Sequence, residues 1–185
     1  MALPDTIEIQ QATAVVWANT ADYTGTVSGL ARTHQMDLTS LADTEGRQGA
    51  KADLGATRAR DYLVLVAIEF AVAPASGEVV EFYWAESPIT TAANANPGGC
   101  TGADAAYAGT AGDSIADSVK QLTFIGTLVC TADATAVVQY QTIGVLSPTM
   151  RYGMPVVKNE GGQAFHNDAV EMYVALIPIE GVIVD

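Results

Sequence analysis

The chain has 185 residues, 49% hydrophobic and only 16% charged, which suits one domain with a real core and argues against global disorder. Eight basic residues stand against 21 acidic ones, for a formal net charge of −13. That sign repels phosphate backbones and anionic lipid, so direct nucleic-acid binding and membrane binding are not expected.

The acidity is uneven. Residues 1–60 carry five basic residues (Arg32, Arg47, Lys51, Arg58 and Arg60) against seven acids, and 61–185 carry three (Lys120, Arg151 and Lys158) against fourteen. The plain reading is an acidic solvated surface; the sharper one sets the near-neutral first third against a partner. Two cysteines, Cys100 and Cys130, make no disulfide framework; a single bridge between them is one reading, and two free thiols, with Cys130 packed as a small hydrophobe, the favoured one. No signal peptide opens the chain and no apolar run reaches membrane-spanning length, so synthesis in a reducing cytoplasm is expected.

Strand signals dominate from the first residues. Segment 6–18 (TIEIQQATAVVWA) alternates Ile7, Ile9, Val15 and Trp17 at period two. Short strands are expected near 33–41 and 48–54. Segment 61–73 (DYLVLVAIEFAVA) aligns Tyr62, Val64, Val66, Ile68, Phe70 and Val72, with Leu63, Leu65 and Ala67 behind them, as in a central strand buried on both sides. After the turn PASG at 74–77, 78–86 aligns Val80, Phe82 and Trp84, and the two runs read as a hairpin.

Segment 87–120 breaks the pattern. It is rich in Ala, Gly, Asn and Thr, and reads as a long surface loop with little apolar content to anchor it. Asp113 or Ser114 could cap a short helix through Ile115, Ala116 and Val119. A second pair of strands follows at 121–131 and 135–146 around the turn 132–134. Then 155–158 and 169–179 flank the turn NEGG, and the chain ends on Val182, Ile183, Val184 and Asp185. Such a tail is wasted on a frayed end: it closes its own sheet or adds a strand to a neighbouring subunit.

About eight short strands joined by Gly- and Pro-containing turns, with no amphipathic helix between them, exclude a parallel β-α-β sheet. The expected fold is all-β: a single-domain antiparallel β-sandwich spanning 1–185 with N- and C-terminal arms. A jelly roll is the first choice and an immunoglobulin-like sandwich the second.

Chemistry is hard to place on this sequence. His34 alternates with Met36 and Leu38 as a half-buried strand residue would, and His166 is expected in solvent or paired with Asp168. GTVSG at 25–29 fails the nucleophile-elbow spacing, because Ser28 directly precedes Gly29. Glu69, Glu81 and Glu86 could line a cleft as paired carboxylates, but edge acids that keep a sheet soluble are the simpler reading. Asp104, Asp113 and Asp117 lack the alternating spacing of a calcium loop. Phe82, Tyr83 and Trp84 could form an exposed aromatic platform, although Phe82 and Trp84 fit a core better. No catalytic, cofactor-binding or metal-ligating residue is therefore assigned, no cofactor is expected, and the chain is read as a non-enzyme.

Several stretches resemble small virion proteins of tailed bacteriophages: ADLGATRARD at 52–61, FYWAESP at 82–88, NPGGCTGADAAY at 96–107, VKQLTFIGTLVCTADATAVVQ at 119–139, and PVVKNEGGQAFHNDAVEM at 155–172 with the following IPI. The resemblance implies a capsid decoration, or cement, protein: a jelly-roll module, commonly trimeric, that binds the major capsid protein on the outside of a DNA-filled head and bridges capsomers. It implies a place in the virion after synthesis in the host cytoplasm. A receptor- or carbohydrate-binding sandwich of a tail or fibre is the alternative.

Overall fold

Period-two alternation makes the strands, but the topology sorts them in a way that local pattern does not show. The computed structural model describes residues 6–26, 28–133 and 137–184. In chain order the strands are β1 (Thr6–Gln11), β2 (Val15–Ala18), β3 (His34–Gln35), β4 (Gly46–Gln48), β5 (Ala52–Asp53), β6 (Asp61–Ile68), β7 (Val79–Ser87), β8 (Ala105–Tyr107), β9 (Thr123–Val129), β10 (Gln139–Leu146), β11 (Tyr152–Glu160) and β12 (Tyr173–Val184). One helical turn, α1 (Ile115–Ser118), and a 3-10 turn at Val119–Gln121 precede β9.

Two sheets face each other. One runs β10-β6-β12-β2-β3, with β1 also on β12; the other runs β8-β4-β11-β7-β9, with β5 also on β11. The pairing is nested: β2 with β12, β4 with β11, β6 with β10, β7 with β9, all antiparallel. Early strands thus pair with late ones from the outside inwards, which is the jelly roll. Immunoglobulin-like sandwiches order their strands differently, and that second choice is set aside.

The nesting corrects the hairpin readings. β6 and β7 do not pair with each other, nor do β9 and β10, nor β11 and β12; each consecutive pair is divided between the two sheets. The turns at 74–77 and 161–163 carry the chain across the sandwich instead. Two alternating runs around a tight turn look the same to local pattern whether they stay in one sheet or cross to the other. The expected 6–18 strand divides into β1 and β2, and β6 stops at Ile68, leaving Val72 55% exposed rather than in the shared face. The beginning of the expected 135–146 strand, and Ala134 of the turn before it, lie outside the described residues.

Between the sheets lies the main core, with Trp17, Val64, Val66, Ile68, Val80, Phe82, Trp84, Val157, Val174 and Leu176 all buried. Trp17 and Trp84 meet edge to face, 5.7 Å between ring centroids. The backbone makes room for both: an added Cβ at Gly153 would lie 2.3 Å from the Trp84 ring, and one at Gly49 would lie 2.7 Å from Trp17. Outside the first sheet, Val16, Ala18, Ala67, Tyr173 and Ala175 pack beneath Tyr23 and Leu30.

Two prolines sit within central strands without breaking them. Pro155 of β11 falls between the stretches paired with β4 and with β5, and its carbonyl accepts from Gly49 N at 2.9 Å. Pro178 of β12 falls between the stretches paired with β2 and with β1, and its carbonyl accepts from Ala12 N at 3.3 Å. In each case the missing N–H coincides with a gap in one neighbouring ladder, where its cost is smallest.

One side of the sandwich is nearly closed. β9 is irregular between its pairings with Phe82 and Tyr83, and β10 between Thr142 and Gly144, so Ile125 and Ile143 are the extra residues. Both pack against the main core. Gly126 and Gly144 let the two edge strands touch backbone to backbone: an added Cβ at Gly126 would lie 2.2 Å from Ile143 O.

Candidate functional site

Segment 87–120 departs most from its expected character. It is a folded layer on the outer face of the second sheet. Cys100, Tyr107, Val119 and Leu122 are buried there against Tyr83, Ala85, Met154 and Val156 of the sheet. β8 extends the same sheet by pairing with β4. Few side chains hold this layer; hydrogen bonds and close backbone packing do the rest. Tyr107 OH donates to Gly98 O at 2.6 Å, and Gln48 clamps Thr101 from both ends, Oε1 accepting from its N–H and Nε2 donating to its hydroxyl. Gly99 and Gly102 have positive φ, and a Cβ on either would lie about 2 Å from a facing carbonyl.

Lys51 holds the beginning of the layer. Its Nζ donates to Ser87 Oγ (2.8 Å) and to the carbonyls of Ile89 (3.3 Å), Thr91 (2.8 Å) and Asn94 (3.1 Å). Burial holds its pKa below the usual lysine value. At the other end Ser114 caps α1, its Oγ accepting from Asp117 N at 3.1 Å.

Between this layer and the sheet runs a groove of about 560 Å³, lined by Glu81, Tyr83, Phe124 and Lys158 from the sheet and by Ala116, Val119, Lys120 and Leu122 from the layer. Phe124 is 54% exposed and meets Tyr83 edge to face at 5.4 Å. Tyr83 OH donates to Glu81 Oε2 at 2.9 Å, and Lys158 Nζ donates to the same oxygen at 3.3 Å. Lys158 also pairs with Glu160. Burial pushes the Lys158 ammonium down, but the Glu160 and Glu81 carboxylates outweigh it and its pKa is raised. Burial first, then the hydrogen bond to Glu81, holds the Tyr83 phenol above its usual range.

The residues singled out from sequence are scattered. His34 stacks on Trp17 at 5.3 Å, and burial and Arg32 lower its pKa; His166 Nδ1 accepts from Asp168 N at 3.2 Å. Ser28 Oγ hydrogen-bonds with Tyr23 OH and accepts from Leu30 N within its own turn. Of the three carboxylates weighed for calcium, Asp104 pairs with Arg47 (2.6 Å) and Asp117 with Lys120 (2.7 Å). Among the described residues no His, Cys, Asp and Glu group of three could hold a metal ion. Of the acids weighed for a cleft, Glu81 faces the groove, Glu86 accepts from Thr149 N and hydroxyl, and Glu69 lies buried at the end of β6, in the other sheet. Phe82 and Trp84 are fully buried, so no platform forms from them. Cys100 and Cys130 are both free and buried, and burial pushes their pKa values up to about 12 and about 11.

Sequence reasoning missed the exposure of Phe124. By period two from Leu128 and Gly126 it would face the core; the extra residue Ile125 turns it outwards, opposite Tyr83. Gly126 is the one local sign of that irregularity.

A second surface lies at one end of the sandwich. β12 outruns β6, whose last pairing is Asp61 with Ile179, and continues to Val184 alongside β1 as a two-stranded ribbon. Among the described residues no strand pairs with the other edge of either ribbon strand. At its base Thr57, Arg58, Ala59 and Arg60 form one wall of a second groove whose other wall is Ile179, Glu180 and Gly181. Arg58 donates to Thr149 O at 2.8 Å, and among the described residues no carboxylate lies within ion-pair distance of Arg58 or Arg60.

These features define an all-β jelly-roll module that offers grooves and open strand edges. Among the described residues no helix is long and apolar enough to cross a membrane. No protein-family model matches the chain, and no curated protein matches it.

Proposed function

We propose that the chain is a virion structural protein of the capsid decoration type. It binds the major capsid protein on the outer surface of a tailed-phage head as a homo-oligomer, with a trimer expected, and stabilises the shell by bridging capsomers. The observation that carries this reading is the ribbon of β1 and β12. A two-stranded ribbon is marginal in water, and open edges invite another strand, so it suits a surface completed by a neighbouring subunit. Arg58 and Arg60 at its base, with no ion-pair partner among the described residues of an otherwise acidic chain, suit a contact patch as well. The resemblance to phage virion proteins supplies the partner. Closed symmetry would then add several weak contacts into one firm attachment.

The test is to add the purified chain to heads assembled without it. It should cosediment with them and raise the temperature at which they release DNA. Purified protein that never binds heads overturns the reading.

A further inference from the structure

The groove between the 87–120 layer and the second sheet is not used by the decoration reading, and its chemistry is of another kind. Its floor and one wall are apolar: Tyr83, Phe124, Val119 and Leu122. Phe124 is more than half exposed, yet it is held against Tyr83 and does not lie free on a loop. An exposed aromatic ring fixed at the edge of a recess is a contact surface awaiting a flat apolar face.

The polar groups beside it carry both signs. Glu81 accepts through Oε2 from Tyr83 and Lys158, and no hydrogen bond from within the protein reaches its Oε1 among the described residues. Lys158 is fixed between Glu81 and Glu160, and Lys120 stands on the opposite wall beside Asp117. A strongly anionic or cationic ligand would meet one of its own sign at short range. A neutral ligand with closely spaced hydroxyls can donate to the carboxylate, accept from an ammonium and lay its C–H face on the ring. A volume of about 560 Å³ is in the range of small-molecule sites and open enough for an elongated molecule.

We infer that this groove binds an uncharged pyranose saccharide, with Phe124 as the stacking platform, Glu81 as hydroxyl acceptor, and Lys158 and Lys120 as donors. The site is separate from the terminal ribbon, so it stands or falls independently of attachment to heads.

The test titrates the ¹⁵N-labelled full chain with neutral trisaccharides of glucose, galactose, mannose and N-acetylglucosamine, and with a sialylated trisaccharide. At least one neutral sugar should shift the amides of Glu81, Tyr83, Val119–Leu122 and Phe124. Phe124→Ala and Glu81→Gln should each weaken that binding at least tenfold while the rest of the spectrum is unchanged. Phe124 is exposed, so its removal tests contact without threatening the fold. No shift with any neutral sugar at tens of millimolar overturns the inference. So does binding of the sialylated sugar alone, or neutral binding that both variants retain.

Discussion

Asn159 has no exposed surface and makes three hydrogen bonds at once: its Nδ2 donates to Leu41 O (3.0 Å) and Gln163 O (2.8 Å), and its Oδ1 accepts from Gly161 N (2.9 Å). It ties the end of β11 to the turn that follows and to a loop over a hundred positions earlier. Asn159→Ala would strand those backbone groups without water, and should cost about 3 kcal/mol, read as a lower urea midpoint with unchanged slope. Glu69 presents the opposite case. Burial raises its pKa, with His166 opposing the rise and Glu171 and Asp168 adding to it. A carboxyl whose folded pKa exceeds its unfolded one stabilises the fold below the unfolded value, about 4.3 for Glu, and loses that contribution as pH rises through the folded value. The wild type should therefore lose stability relative to Glu69→Gln as pH climbs from about 4 towards neutrality. A stability difference that stays flat with pH would refute this.

At the level of elements, the 87–120 layer depends on one cation more than on apolar contact at its beginning. Lys51→Met keeps much of the side-chain volume but removes the one group that joins Ser87 Oγ to the carbonyls of Ile89, Thr91 and Asn94, leaving Ile89 O to Ser87 Oγ and Thr91 O to Asn94 N. Amide exchange across 89–94 should accelerate by about tenfold or more, a local loss of about 1.4 kcal/mol, while exchange in β6 and β12 stays slow. Equal acceleration everywhere would mean that the latch is part of the global core. The strands themselves were legible: Tyr62, Val64, Val66 and Ile68 alternate, and so do Val80, Phe82 and Trp84, because burying one face of a strand leaves a period of two in the residues. The anchoring of the loop was not legible, since backbone hydrogen bonds and glycine-permitted contacts leave no hydrophobic pattern. The outward turn of Phe124 was hidden for a related reason: the extra residue Ile125 puts the side chains before it out of phase with those after it.

For the molecule as a whole, the partner of each strand was the hardest feature to read. Alternation reports that a face is buried but not which distant strand lies alongside, so β6 and β7 read as a hairpin although each pairs elsewhere. The ribbon can be tested apart from the sandwich. Among the residues whose burial is described, the main core begins at Val15, so deletion of residues 1–11 should leave the urea midpoint close to that of the full chain. The same deletion should abolish cosedimentation with heads; a shortened chain that still binds them would move the contact elsewhere. The nested pairing also has a consequence in time. Trp17 lies opposite Val174 across the β2–β12 ladder, so β2 lacks its antiparallel partner until β12 has emerged from the ribosome. The outermost pairs must wait for β12, and even the innermost pair, β7 with β9, joins residues far apart in sequence, which predicts slow folding for a chain of this size. A truncation within β12 would therefore deprive the earliest strands of their partner and leave an aggregation-prone chain.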